Sequence, residues 1–147
     1  MALKVIGLGN LIATGINISA PAAGTTRGVS VILGKLVGLN LNSVAPTTIF
    51  TTPATGFTRC VVEQIFVDNF SMASTTASVS YGASGTPTDY LASATMPGAA
   101  TGKAIVLQPA TNTAFATYGN GVAFVANVTI GQGVAATCDV SVYGSYE

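Results

Sequence analysis

Asn120-Gly121-Val122-Ala123-Phe124-Val125-Ala126-Asn127-Val128-Thr129-Ile130-Gly131-Gln132-Gly133 is the stretch of this 147-residue chain that decides its fold class. Val122, Phe124, Ala126, Val128 and Ile130 alternate with Ala123, Val125, Asn127 and Thr129. Side chains that change face at every residue belong to a β-strand with one face on a core. Asn120-Gly121 leads into this strand, and Gly131-Gln132-Gly133 ends it in a turn. The next segment, Ala135–Tyr143, reads as its hairpin partner, with Cys138, Val140 and Val142 inside and Thr137, Asp139 and Ser141 outside.

The same grammar extends backwards. Phe57–Phe70 is the longest strand-like run, with Cys60, Val62 and Phe66 on one parity and Val61, Ile65 and Val67 on the other. Apolar residues on both parities imply either burial on both faces or a bulge that swaps them. Thr48–Thr51, Thr76–Gly82, Thr88–Ala94, Lys103–Leu107 and Ala114–Thr117 complete a set of about eight strands, punctuated by Pro- and Gly-containing turns. No window keeps apolar residues at helical spacing without interruption. The expected fold is all-β, an antiparallel sandwich of jelly-roll type over residues 45–147.

Residues 1–44 differ in composition, being rich in Gly, Asn and aliphatics and free of acids. Short extended pieces are expected at Leu3–Ile6, Leu11–Ile18 and Val29–Leu33, as an arm or as edge strands. Val5–Gly24 carries no charge, but Gly7, Gly9, Asn10, Gly15 and Asn17 make it too polar for a spanning helix and a poor signal segment. No membrane partner is expected.

Charge narrows the function classes further. Five bases (Lys4, Arg27, Lys35, Arg59, Lys103) and five acids (Glu63, Asp68, Asp89, Asp139, Glu147) leave a net charge of zero and only 7% charged residues, against about 25% in an ordinary soluble domain. So little charge on a lone monomer would limit its solubility, which points to a surface covered by other subunits. The cations are scattered singly, so phosphate neutralisation on a nucleic acid is not expected.

Histidine is absent, which removes the commonest general base and metal ligand. A Ser-His-Asp or Cys-His arrangement is impossible within the chain, and the carboxylates are dispersed, so no enzyme activity, catalytic residue, cofactor or metal is expected. Lys4-Val5-Ile6-Gly7-Leu8-Gly9-Asn10 imitates the start of a dinucleotide-binding turn, yet Ile12 stands where a third glycine belongs and the first acid is Glu63. Asp68, Asn69 and Asp89 match no calcium-loop spacing. Cys60 and Cys138 read as buried thiols, or as a bridge if their strands are neighbours.

Arg59 and Glu63 share a parity, but four strand residues hold them ~13 Å apart, so each needs a partner elsewhere. With ten charges in all, Lys4, Arg27, Lys35, Arg59 and Glu63 are the candidates for assembly contacts that fix register between subunits.

The order of strand motifs then carries a resemblance. Thr48-Ile49-Phe50-Thr51-Thr52-Pro53, Phe57-Thr58-Arg59-Cys60-Val61-Val62, Ala77-Ser78-Val79-Ser80-Tyr81-Gly82, Thr88-Asp89-Tyr90-Leu91-Ala92-Ser93 and Cys138-Asp139-Val140-Ser141-Val142-Tyr143-Gly144 follow one another. This succession resembles small virion proteins of tailed bacteriophages, over about two thirds of the chain. The resemblance implies a jelly-roll-like sandwich acting as a capsid decoration, or cement, protein in the virion, assembled in the host cytoplasm. Its implied partners are copies of itself, as a trimer or other homo-oligomer, and the major capsid protein. On that view the N-terminal segment anchors the protein by adding strands to a neighbour's sheet edge. The alternative the resemblance leaves open is a tail or fibre component, an adhesin-like module that recognises a host receptor or glycan.

Overall fold

A computed structural model describes residues 30–72, 76–96, 104–109 and 116–147. The strands expected at Leu3–Ile6 and Leu11–Ile18, and the cations Lys4, Arg27 and Lys103, lie outside the described residues.

Nine strands occur among the described residues: β1 (Val31–Asn40), β2 (Pro46–Thr51), β3 (Cys60–Asp68), β4 (Ser78–Ala83), β5 (Thr86–Thr95), β6 (Ile105–Leu107), β7 (Thr117–Tyr118), β8 (Ala123–Ile130) and β9 (Thr137–Tyr146). They form two antiparallel sheets. One has the order β1-β9-β3-β6, with β7 also paired to β3; the other has the order β2-β8-β4-β5. Pairing is nested, because β1 meets β9, β2 meets β8, β3 meets β6 and β7, and β4 meets β5. A long ribbon folded over on itself in this way is a jelly roll, and the expected all-β sandwich is what forms. Strand β1, which precedes residue 44, is hydrogen-bonded to β9 at the edge of the larger sheet.

The hairpin expected between the last two strands is not formed. β8 pairs with β2 and β4, whereas β9 pairs with β1 and β3, so Gly131-Gln132-Gly133 links one sheet to the other. Phe124, Ala126 and Val128 on β8 and Cys138, Val140 and Val142 on β9 are all buried in one core. Two strands with apolar faces turned towards each other across a sandwich alternate just as hairpin partners do, which is why the pattern alone cannot separate the cases.

The parity of β3 also resolves. A register shift between Val62 and Gln64 inserts Glu63 as an extra residue. Before the bulge Cys60 and Val62 face inward; after it Ile65 and Val67 do, and Phe66 is turned to the outer face. Phe124 sits at the centre of an aromatic group, with ring centroids 5.3 Å from Phe50, 5.3 Å from Tyr118 and 5.9 Å from Tyr90. At one end of the sandwich Thr52, nearly fully buried, gives its hydroxyl proton to the Gly119 carbonyl at 2.8 Å and accepts the Val122 amide at 2.8 Å. That bond ties the β2–β3 loop to the approach to β8.

Candidate interaction surface

The two outer faces of the sandwich differ in chemistry. On the four-stranded sheet, alternate residues of β4, β5 and β8 turn Ser78, Ser80, Ser93, Asn127 and Thr129 away from the core, with Ser78 and Ser80 themselves buried. Ser93 and Thr129 hydroxyls meet at 2.7 Å, the Thr129 hydroxyl donates to the Ser78 carbonyl at 3.1 Å, and the Asn127 amide donates to the Ser80 hydroxyl at 3.3 Å. These side chains are uncharged and bonded to one another.

The five-stranded sheet presents apolar groups. Directly paired residues share a face, and the register sets Ile32 beside Tyr143, Tyr143 beside Gln64, and Ser141 beside Phe66, which in turn faces Val106. Phe66 and Tyr143 pack edge-on at 5.2 Å. Ile32 and Val106 flank this pair and are 58% and 50% exposed, which marks an apolar band open at both ends. The Gln108 side chain donates to that of Gln64 at 3.4 Å on its rim.

Further exposed aliphatics stand at the end of β8 and on the neighbouring loops, Ile130 on the strand and Val44 and Val134 on the loops. Val44, Ile130 and Val134 are 65%, 59% and 53% exposed. Their loops are braced: the Gln132 amide donates to the Leu41 carbonyl at 3.0 Å, and the Gly133 amide to the Asn42 side chain at 2.8 Å. Gln132 itself accepts the Thr76 amide at 2.6 Å and the Ala77 amide at 3.2 Å. Segments 41–45, 130–136 and 76–78 contain no charged residue. Exposed aliphatics on hydrogen-bonded loops lose little entropy when covered, a favourable setting for a contact.

Of the expected assembly residues, Lys35 and Arg59 have partners within the chain. Lys35 lies 3.9 Å from Asp139 on the outer face of the larger sheet. Asp139 also accepts the amide of Gly38, whose φ of 70° at the β1 bulge suits glycine, at 2.9 Å, and the Asn69 amide at 3.4 Å. Arg59 reaches Glu147 through two nitrogens, at 2.5 and 2.6 Å to the same oxygen. Glu63 occupies the β3 bulge, where its carbonyl accepts the Tyr90 hydroxyl at 3.2 Å, and its carboxylate has no ion pair among the described residues. Lys4 and Arg27 lie outside the described residues.

Asp68 sits directly across from Asp139, while Asp89 lies by the β4–β5 turn at the opposite end, held by the Ala83 amide, the Thr86 hydroxyl and the Tyr118 hydroxyl. Asp68, Asn69 and Asp89 are therefore not brought together. Cys60 and Cys138 are on neighbouring strands, but both are free. Cys60 is opposite Tyr146, eight residues along β9 from Cys138, a separation of ~26 Å at strand rise and far beyond bridging distance. Burial pushes the Cys60 thiol up to about 11. Burial, with Asp139 and Asp68 adding to it, pushes Cys138 up to about 12.

The apolar band was hidden from sequence reasoning for one reason. Parity alone groups Phe66 with Cys60 and Val62, and only the bulge at Glu63 sends it outward. The signal available was the presence of apolar residues on both parities of that run.

No protein-family model matches the chain, and no curated protein does. A chain of a solved structure described as the cyanophage Pam1 capsid asymmetric unit is similar in fold, with a TM-score of 0.54, 16% identity, and 91% of this chain and 96% of that chain covered.

Proposed function

We propose that this chain is a structural component of a bacteriophage virion, and within it a decoration protein that binds the outer capsid surface and stabilises the shell through subunit contacts. The observation that carries the reading is the likeness of nearly the whole fold, 91% of this chain, to a chain from a phage capsid assembly. The braced, charge-free tip of Val44, Ile130 and Val134 supports it as the contact with the major capsid protein, since apolar side chains on a rigid platform gain most from losing water. The work of such a protein is binding rather than catalysis. It shifts the shell towards its intact form by mass action, and many modest contacts add up over many copies.

The reading is tested on purified particles of the phage that encodes the chain. Mass spectrometry of banded virions should find the chain in many copies per particle, and electron microscopy should find the sandwich on the outside of the shell. Val44→Asp combined with Ile130→Asp should abolish rebinding of the recombinant protein to stripped particles while the fold persists. Absence from banded virions, or location on the tail, overturns it.

A further inference from the structure

We propose that the outer face of the five-stranded sheet seats residues 1–29 of a second copy of the chain, so that copies are clasped to one another through that segment; this rests on the reading of the chain as an assembly protein. Three observations carry it. The face bears an apolar band, Ile32–Tyr143–Phe66–Val106, exposed at both ends, whereas the opposite face satisfies its own polar groups.

Charge separates along the chain. The described residues carry Lys35 and Arg59 against Glu63, Asp68, Asp89, Asp139 and Glu147, a side-chain net of −3. Residues 1–29 carry Lys4 and Arg27 and no acid, a net of +2. Both described cations are already in ion pairs, while among the described residues Glu63 and Asp68 are in none and one buried Asp68 carboxylate oxygen has no partner. A segment that is cationic and aliphatic thus complements a sheet that is acidic and apolar.

Length and point of departure supply the third. The segment ends immediately before Ser30, the residue that precedes β1, and Ile32 at the start of β1 is already part of the band. Twenty-nine residues span up to ~95 Å when extended, whereas four strands are only ~15 Å across at strand spacing. The segment is several times longer than its own face needs, and the residue it joins, Ser30, adjoins β1 at that sheet's edge. Reach to a neighbouring copy is what the excess provides.

Full-length chain labelled with 15N is mixed with unlabelled chain, treated with a zero-length carbodiimide and digested. Expected are peptides joining Lys4 to Glu63 or Asp68 in which heavy and light partners combine at the statistical frequency. Joined peptides that are only heavy–heavy or light–light mean the segment folds back on its own chain, and overturn the proposal. So does coupling of Lys4 only to Asp89, at the far end of the other sheet.

Light scattering gives a second reading on the full chain. Lys4→Glu with Arg27→Glu, both outside the described residues, and Ile32→Asp with Val106→Asp, on the outer face, should each weaken self-association at least tenfold. An unchanged oligomer in the first variant overturns the proposal even if the second fails to fold. Rebinding to stripped particles is scored separately, so unchanged self-association of the variants with particle location intact fails only the clasp, and absence from particles fails the decoration reading.

Discussion

Replacing Phe124 by alanine should remove one of the largest packing contributions to this sandwich. Phe124 is fully buried on β8, the strand between β2 and β4, and its ring contacts those of Phe50, Tyr90 and Tyr118 at 5.3–5.9 Å. Phe→Ala in a core costs about 3–5 kcal/mol through lost transfer energy and the cavity left behind. Three aromatic partners, each contributing about 0.5–1.5 kcal/mol beyond burial, place this site at the upper end, about 5 kcal/mol. β2 and β4 both hydrogen-bond to β8, so the cavity walls cannot close without breaking ladder bonds. With a urea slope of about 2 kcal/mol per molar, the midpoint falls by about 2.5 M. Equilibrium unfolding followed by circular dichroism reads this shift, and an unchanged slope confirms that the two states are still being compared. Tyr118→Phe is the internal reference: it keeps the ring, loses only the hydroxyl bond to Asp89 at 2.9 Å, and should cost about 1 kcal/mol. A Phe124→Ala midpoint no lower than that of Tyr118→Phe would refute the placement of Phe124 at the centre of the core.

At Gly144 a Cβ would overlap the Val61 carbonyl oxygen and lie 2.7 Å from the Leu33 side chain. Gly144→Ala must therefore displace β3 or β9, with a loss of about 1–3 kcal/mol read by thermal melting; an unchanged melt would refute the close approach. The buried thiols predict an alkaline weakness. They stay protonated in the fold up to about 11 and 12, but the unfolded thiols ionise near 9.0, so stability is complete below that value and declines as pH climbs through the interval. Burial raises Tyr81, Tyr90 and Tyr118 in the same direction at higher pH. Denaturation midpoints at pH 7 to 10 should fall less in a Cys60→Ala, Cys138→Ala variant, and an equal fall in both proteins rejects the thiol contribution. Arg59 is more than half exposed beside Glu147, so a double-mutant cycle should give a coupling of less than about 1 kcal/mol that shrinks with added salt; a coupling above 2 kcal/mol would mean the pair is shielded from water.

The sequence by itself determined that this is a β protein, where most of the described strands run, and that Phe124, Val128, Val140 and Val142 belong to the core. Strand periodicity is local, written in each side chain's preference for water or its absence, and it is legible without knowing the neighbours. The low charge was equally plain, and it directed attention to contacts between molecules. What only the tertiary structure decided is which strands share a sheet and which outer face remains apolar. β8 and β9 alternate like a hairpin yet lie in opposite sheets, because a strand facing a core reads the same from either side of it. Phe66 points outward because one residue, Glu63, is extra when β3 is matched to β9. Register is a property of two strands at once, and the partner of β3 lies some eighty residues away in the chain.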